Sequence, residues 1–254
     1  MATLVTIPFS HFCEKARWAL DYTGCDYVEE GHAPVLHRLA VWRATSPRTS
    51  VPVLVDGDRV FADSTDILAH ADTLAGPERK LYPEDAVRRA EVQSLEDDFD
   101  ERLGPHIRRV IYFYLLPNPD MARKLMDRGT PPWEQAALRW LFPAVRLTMN
   151  RFMNIDARTA TQSRDEVLRV FDDVERRLED GRPYLTGDRF TAADLTFAAL
   201  AGVSVFPPES EKAYPSIDSL GPVPQDALDL VRETQGRPAG AFVRRIYREH
   251  RGRA

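Results

Sequence analysis

Over the first eighty residues, the hydrophobic and polar positions alternate between strand-like and helix-like patterns. Short β-rich runs at residues 3–7 and 25–30 flank a stretch at residues 10–20 in which apolar side chains recur at helical spacing. That stretch closes at Gly24, a residue type common at helix ends. A second helical pattern follows at residues 35–44. The predicted order is therefore strand, helix, strand, helix.

A hairpin comes next. The sequence from Val51 to Ala62, VPVLVDGDRVFA, has two β-rich runs around Asp56-Gly57, a dipeptide suited to a tight turn. A helix follows, with apolar positions at Ile67, Leu68, Ala71 and Leu74. A strand-helix-strand unit favours parallel pairing, whereas a hairpin requires an antiparallel pair. The order βαβαββα therefore predicts a small mixed sheet flanked by helices.

Beyond this unit the strand signals end. The stretch from Ala75 to Ala86 combines proline, glycine and charge with little periodicity, which is typical of a linker. Helical patterns follow, and Gly104-Pro105 is expected to kink or end the helix that contains it. Thr191 and Asp194 predict a capping box at the start of an apolar helix. We thus predict an α/β domain at residues 1–76, a linker at 77–86 and an all-α bundle at 87–254.

Composition narrows the class of protein. The 254 residues carry a net charge of −5, so the composition does not show the excess of basic residues that is typical of proteins that bind nucleic acid. The basic end, RRIYREHRGRA, is interpreted as a solvated helix end rather than a binding arm. The longest uncharged stretch, Leu195 to Pro208, is too short to cross a bilayer, and the N-terminus lacks a secretory pattern. Together with only two cysteines, these features favour a cytoplasmic protein.

Candidate chemistry lies where the first strand meets the first helix. Cys13 falls three residues after Ser10, where a C-x-x-C pair would indicate a dithiol redox site. With serine at the first position, dithiol exchange is excluded there. A helix N-terminus and a hydroxyl remain, and both stabilise a thiolate. One hydroxyl lowers the pKa of a bound thiol, ordinarily about 8.5, by about one to two units.

Four segments resemble the soluble glutathione transferases, particularly bacterial-like members with an active-site serine. They are SHFCEKARWAL from Ser10, VPVL from Val51, FADSTDILAHAD from Phe61 and DRFTAADLTFAAL from Asp188. They occur in the family's order over most of the chain. The resemblance implies a thioredoxin-like N-terminal domain, an all-helical C-terminal domain, glutathione as co-substrate, a small apolar electrophile and a homodimer.

The resemblance also implies roles for single residues. Ser10 would donate a hydrogen bond to the glutathione thiolate, although a plain helix cap also explains it. Pro52 would be the family's cis-proline rather than an ordinary trans proline, and the backbone of Val51 would pair with the glutathione peptide. Asp63 and Ser64 would bind the γ-glutamyl end, although Ser64 is equally suited to cap a helix.

Two departures bear on the identity of the thiol. The family often carries Gly-Lys before VPVL, where this chain has Thr49-Ser50, and Arg48 is the nearest replacement cation for the glycyl carboxylate. Asp63 stands where glutamate is commoner. Glutathione is the expected thiol, and another low-molecular-weight thiol remains open.

Cys13 is the main alternative catalytic residue. A thiol in the first turn of a helix can form mixed disulfides, but a small buried side chain is the favoured interpretation. Cys25 is interpreted as a packing residue. The histidines show no metal-ligand spacing, so no metal is predicted; they are His11, His32, His37, His70, His106 and His250.

The substrate-binding residues are expected among aromatic side chains. Phe9, His11, Tyr112 within residues 111–117, and Trp140 are the candidates, although such residues are more often core. Three functions stay open: conjugation of glutathione to an electrophile, thiol transfer or reduction through Cys13, and a non-catalytic scaffold. The stretch at residues 237–251 predicts a final amphipathic helix, either docked on the fold or at an interface.

Overall fold

The structure is a computed structural model that describes residues 1–45 and 49–251. Its sheet has the order β2-β1-β3-β4, with β1 parallel to β2 and both other pairs antiparallel. The strands are β1 at Ala2–Thr6, β2 at Tyr27–Gly31, β3 at Val53–Asp56 and β4 at Arg59–Phe61. The predicted small mixed sheet is confirmed.

The hairpin turn lies one residue later than predicted. Asp56 still pairs with Arg59, so the two turn residues are Gly57 and Asp58 rather than Asp56 and Gly57. Gly57 has a φ of +61°, a conformation that glycine adopts without steric cost.

The helices of the α/β unit at residues 1–76, called the first unit below, flank the sheet, as the polarity pattern predicts. They are α1 at His11–Thr23, α2 at His37–Thr45 and α3 at Ser64–Leu74. Ser10 is the N-cap of α1, and Gly24 ends the helix in the left-handed conformation with a φ of +77°.

The remainder of the described chain is helical. The helices are α4 at Ala86–Asp98, α5 at Gly104–Leu115, α6 at Pro119–Met126, α7 at Pro132–Phe152, α8 at Ala157–Leu178, α9 at Ala192–Val205, α10 at Gln225–Gly236 and α11 at Pro238–Ile246. A π-helical turn at Phe99–Leu103 joins α4 to α5, so the break falls next to Gly104-Pro105 as expected. Within the two described ranges, no helix has the length and apolarity needed to cross a membrane.

Helix α9 lies at the centre of the molecule. All of its residues except Val203 are buried, which is typical of a helix surrounded by other elements. One continuous core joins it to the sheet, since Leu4 of β1, Trp18 of α1 and Phe197 of α9 belong to the same buried cluster. The first unit and the helical part therefore pack as one body around α9.

The predicted capping box at the start of α9 is present. Asp194 is fully buried, and its Oδ2 accepts hydrogen bonds from Thr191 N at 2.8 Å and Thr191 Oγ1 at 2.9 Å. Its Oδ1 accepts from Leu185 N at 2.7 Å. One carboxylate thus satisfies two buried backbone N–H groups.

We expect Asp194→Ala to lower the free energy of unfolding by about 2–4 kcal/mol, because both backbone donors lose their acceptor. Chemical denaturation followed by circular dichroism measures this change. Asp165→Ala, at an exposed position of α8, is the matched control and should change stability by less than about 0.5 kcal/mol. An equal loss in both variants contradicts the role given to Asp194.

The C-terminal helix is docked rather than exposed. Phe242, Val243 and Ile246 of α11 are buried. The expectation of a solvated basic end is wrong at Arg251, whose side chain is 8% exposed and pairs with Glu14 at 2.8 Å and Asp21 at 2.7 Å. The basic pattern misleads here because the partner carboxylates lie on α1, more than 200 residues earlier in the chain.

Candidate active site

Strand register brings two predicted site segments together. β1 leads directly towards Ser10, and in the antiparallel β1–β3 pair Val5 lies opposite Val53. The residues just before β3 therefore lie at the same end of the sheet as the residues just after β1. The Val51-Pro52 bond is cis, as predicted.

The same reasoning places the start of α3. In the β3–β4 pair Leu54 lies opposite Phe61, so the residues just after β4 leave the sheet at the end where β3 begins. Asp63 is the N-cap of α3, with its Oδ1 accepting from Thr65 N at 2.9 Å. Ser64 is the first helical residue and is buried. Ser10, Val51, Pro52, Asp63 and Ser64 therefore lie at one end of the sheet.

Ser10 is held by the turn that starts α1. Its N–H donates to Ile7 O at 2.9 Å, and its Oγ accepts from Cys13 N at 3.5 Å. The Ser10 side chain also lowers the pKa of the neighbouring Cys13 thiol. A neutral thiol is a weak acceptor, whereas a thiolate forms a charge-assisted bond about twice as strong. A bound thiolate would therefore compete successfully for the Ser10 hydroxyl hydrogen.

Cys13 is unsuited to nucleophilic chemistry. It is fully buried, and burial raises the pKa of its thiol to about 11, with the hydrogen bond from Ser10 offsetting only part of that rise. At pH 7.5 about 0.03 per cent of such a thiol is ionised. The structure thus agrees with the interpretation of Cys13 as a small buried side chain.

We expect native Cys13 to be alkylated by iodoacetamide at least about 100-fold more slowly than in the denatured protein, because it lacks both thiolate and access. Peptide mass spectrometry after timed labelling at pH 7.5 gives the rate. Cys25, which is partly exposed, is the internal reference. Labelling of Cys13 as fast as Cys25 would restore thiol transfer through Cys13 as a candidate function.

The beginnings of α1 and α3 are linked through Lys15. Its Nζ lies 3.2 Å from Thr65 Oγ1, one residue after Ser64. Lys15 therefore joins α1 to the first turn of α3.

A buried charge cluster supports this link. Lys15 is fully buried, and its Nζ lies 2.9 Å from Glu96 Oε1 and 2.6 Å from Asp100 Oδ2. Burial alone would lower the pKa of Lys15, but the two carboxylates raise it above its ordinary value. Tyr82 donates to Glu96 at 2.6 Å, and Thr65 donates to Asp100 at 3.0 Å.

An apolar cavity opens beside Ser10. It is small, with a volume of about 70 Å³. Phe9, Ser10 and His11 line it from the start of α1, and α5 contributes Arg108, Ile111 and Tyr112. Three predicted residues, Phe9, His11 and Tyr112, thus come together with Ser10.

The titratable groups of this lining are not proton acceptors at neutral pH. Burial, aided by the charge of Arg108, lowers the pKa of His11 to about 3, so its neutral ring donates from Nε2 to Gly104 O at 2.9 Å. Burial raises the pKa of Tyr112 to about 12, so it remains a phenol. The lining suits an apolar molecule and provides neither a general acid nor a general base at neutral pH.

Two predicted residues are not placed in the cavity. Trp140 lies on α7 with 86% of its surface exposed and is absent from the cavity lining. Arg48 falls outside the described residues. Thr49, which follows the undescribed residues, has its carbonyl oxygen 3.1 Å from His37 Nε2.

Sequence reasoning missed part of the lining. Phe206, Tyr214 and Leu220 come from the segment after α9, which carries no motif. Arg108 did leave a signal, since it shares a helical face with Ile111 and Tyr112 and is a charge on an otherwise apolar stripe. Among the described parts of the chain, no group of three or more metal-ligating side chains is close enough to hold a metal ion.

Two family models match the chain. Residues 4–79 match the model for the glutathione S-transferase N-terminal domain, and residues 151–218 match that for the glutathione S-transferase C-terminal domain. The glutathione S-transferase TCHQD of Arabidopsis thaliana is 24% identical over 229 residues, which cover 80% of this chain and 77% of that protein.

Solved structures support the fold. The β-etherase LigF from a Sphingobium species has a TM-score of 0.60 at 17% identity, covering 95% of this chain and 98% of its own. A glutathione S-transferase from Sinorhizobium meliloti has a TM-score of 0.58 at 22% identity, covering 96% and 91%. The two matched domains occur in the family's order, the first on the thioredoxin-like unit and the second on the helical part. The chain therefore belongs to the glutathione S-transferase family.

Proposed function

We propose that the protein is a serine-type glutathione transferase of bacterial-like character, which conjugates the glutathione thiolate to a small apolar electrophile. The observation that carries this proposal is the position of Ser10, a residue that lines the apolar cavity and whose side chain caps α1. The thiol proton is released to solvent, the thiolate attacks an electrophilic carbon, a C–S bond forms and the leaving group departs with its electron pair. Ser10 stabilises the anion by hydrogen bonding.

The charge at the start of α3 supports glutathione as the thiol. Lys15 balances only one of the two carboxylates Glu96 and Asp100, and the Asp63 charge also reaches Asp100. The excess negative charge suits the ammonium of a γ-glutamyl group, while Ser64 at the helix N-terminus suits its carboxylate. Val51 would pair with the peptide backbone, and Arg48 would attract the glycyl carboxylate.

Isothermal titration with glutathione, followed by conjugation of a nitrobenzyl halide, tests the proposal. We expect binding in the range of millimolar or tighter and product formation above the uncatalysed rate. No measurable binding at millimolar thiol would instead favour a non-catalytic scaffold. Titration with other low-molecular-weight thiols, such as cysteine, tests the choice of thiol in the same apparatus.

The variant Cys13→Ser distinguishes conjugation from thiol transfer as the activity of the protein. Because Cys13 is buried with a raised pKa, we expect this variant to conjugate at more than half the wild-type rate. Loss of glutathione-dependent disulfide reduction together with conjugation in the variant would favour chemistry at Cys13. We also propose a homodimer in the cytoplasm, on the family's properties, and sedimentation analysis tests the oligomeric state.

A further inference from the structure

One lining residue of the apolar cavity carries a full charge. Arg108 lies on α5, facing the cavity that Ser10 also lines. No carboxylate occurs among the described residues of the lining. Because His11 and Tyr112 are neutral at pH 7, the cavity holds one cation and no counter-ion of its own.

The guanidinium of Arg108 is incompletely satisfied. Its Nε is buried and has no hydrogen-bond acceptor within the described structure. Burial, together with the neighbouring charge of Arg109, lowers the pKa of Arg108, but arginine remains protonated at neutral pH. A cation that is removed from water without a partner costs stability.

The adjacent residue, Arg109, shows that an arginine on α5 can find hydrogen-bond acceptors. Arg109 donates to Met153 O at 3.0 Å and to Ser163 Oγ at 2.7 Å, so it joins α5 to its neighbours. Arg108 makes no comparable bond among the residues described. A structural role therefore explains Arg109 and leaves Arg108 without one.

We propose that Arg108 is a specificity-determining residue that binds a carboxylate on the electrophile, so that the substrate class is compact apolar electrophiles carrying one carboxylate. This inference rests on the proposed transferase function. The planar guanidinium matches a carboxylate with two parallel hydrogen bonds, and the ion pair is strengthened in an apolar cavity.

The test substrate must be small, because Ser10 and Arg108 line one small cavity. A suitable probe carries its carboxylate one aromatic ring away from the reacting carbon, as in 4-(bromomethyl)benzoate.

The reaction with this probe is a simple displacement. Glutathione releases its thiol proton to solvent, its sulfur forms a bond to the benzylic carbon, and bromide leaves with the C–Br electron pair. The neutral comparison substrate is 4-(bromomethyl)benzamide, which has the same shape. Each enzymatic kcat/KM is divided by the uncatalysed rate with glutathione, which removes the difference in intrinsic reactivity.

We expect the wild-type protein to favour the benzoate over the benzamide by about 10- to 100-fold in these normalised values. Arg108→Met should abolish the preference, mainly by raising KM for the benzoate. Arg108→Lys keeps the charge without the planar fork and should retain part of it. Arg146→Met, at an exposed position of α7, is the matched control and should leave both values unchanged.

Thermal unfolding provides a second readout that needs no catalysis. Arg108→Met removes a partly buried cation whose Nε has no acceptor, so it should unfold at the wild-type temperature or above it. The unreactive probe 4-methylbenzoate should bind the wild-type protein at least about 10-fold more tightly than it binds Arg108→Met. Its amide should not distinguish the two proteins.

Two results would overturn the inference. One is equal normalised rates for both substrates in the wild type. The other is an equal loss of normalised rate for both substrates in Arg108→Met, which would assign Arg108 to the thiolate instead. If neither substrate is conjugated, the proposed function fails. Binding of 4-methylbenzoate then decides the role of Arg108 separately, and equal affinity in wild type and Arg108→Met contradicts it.

Discussion

Replacing Ser10 by alanine is expected to lower kcat/KM for conjugation by about 10- to 100-fold. The hydroxyl supplies one hydrogen bond to a charged sulfur, worth about 1.5–3 kcal/mol. Without it, the thiol of bound glutathione is mostly protonated at neutral pH, and the thiol is a far weaker nucleophile than the thiolate. Steady-state kinetics at pH 7 and pH 9 measure the effect. The loss should be smaller at pH 9, where solvent hydroxide ionises the thiol without help.

Controls separate this chemistry from helix capping. Ser10→Ala also removes the N-cap of α1, at a cost of about 1 kcal/mol in stability. Ser10→Asp keeps a capping acceptor but places a negative charge beside the sulfur, so it should be folded and at least as inactive. A folded Ser10→Ala variant with wild-type kcat/KM contradicts the role of the hydroxyl.

Replacing Lys15 by methionine is expected to lower the free energy of unfolding by about 3–5 kcal/mol. The substitution fills the same space but leaves Glu96 and Asp100 without their cation, and Glu96 is fully buried. Urea denaturation at pH 7.5 measures the change. Because Lys15 also contacts Thr65 at the start of α3, affinity for glutathione should fall in parallel.

The pH dependence of this variant follows from linkage. Burial already raises the pKa of Glu96 and Asp100 in the wild type, and the charge of Lys15 offsets part of that rise. Without Lys15 the rise is larger, so the folded variant binds more protons than its unfolded state. Stability then falls as pH rises, and the deficit should shrink between pH 7.5 and pH 5. Adding Glu96→Gln should restore part of the loss.

Lys124→Met, at an exposed position of α6, is the matched control for Lys15 and should change stability by less than about 0.5 kcal/mol. A loss below about 1 kcal/mol in Lys15→Met, as in an exposed ion pair, would mean that the cluster does not hold α1 and α4 together.

Local signals predicted most of the first unit. The order βαβαββα follows from hydrophobic period, and Ser10 and Gly24 mark the ends of α1 through chemistry that acts within a few residues. The Thr191–Asp194 capping box is equally local. The hairpin turn shifted by one residue because register depends on pairing across both strands, which a dipeptide alone does not fix.

Long-range contacts account for what the sequence could not predict. On α7, Leu138, Phe142, Val145 and Met149 face the core, whereas Trp140 projects outward, and helical spacing alone does not say which apolar face is buried. The ion pairs of Arg251 with α1 and the entry of Phe206 and Tyr214 into the cavity depend on tertiary packing. The sequence shows that Arg108 places a charge on an apolar helix face, but only the structure shows that this face lines the cavity.

The most direct measurement is the ultraviolet thiolate absorbance of protein-bound glutathione, titrated with pH in wild type and Ser10→Ala. The absorbance of the ligand-free protein is subtracted at each pH, so that the protein's own thiols and phenols cancel and the transition reports the bound sulfur. We expect an apparent thiol pKa about one to two units below 8.5 in the wild type, and close to 8.5 in Ser10→Ala. A bound thiol with the same unshifted pKa in both proteins would contradict stabilisation of the thiolate by Ser10.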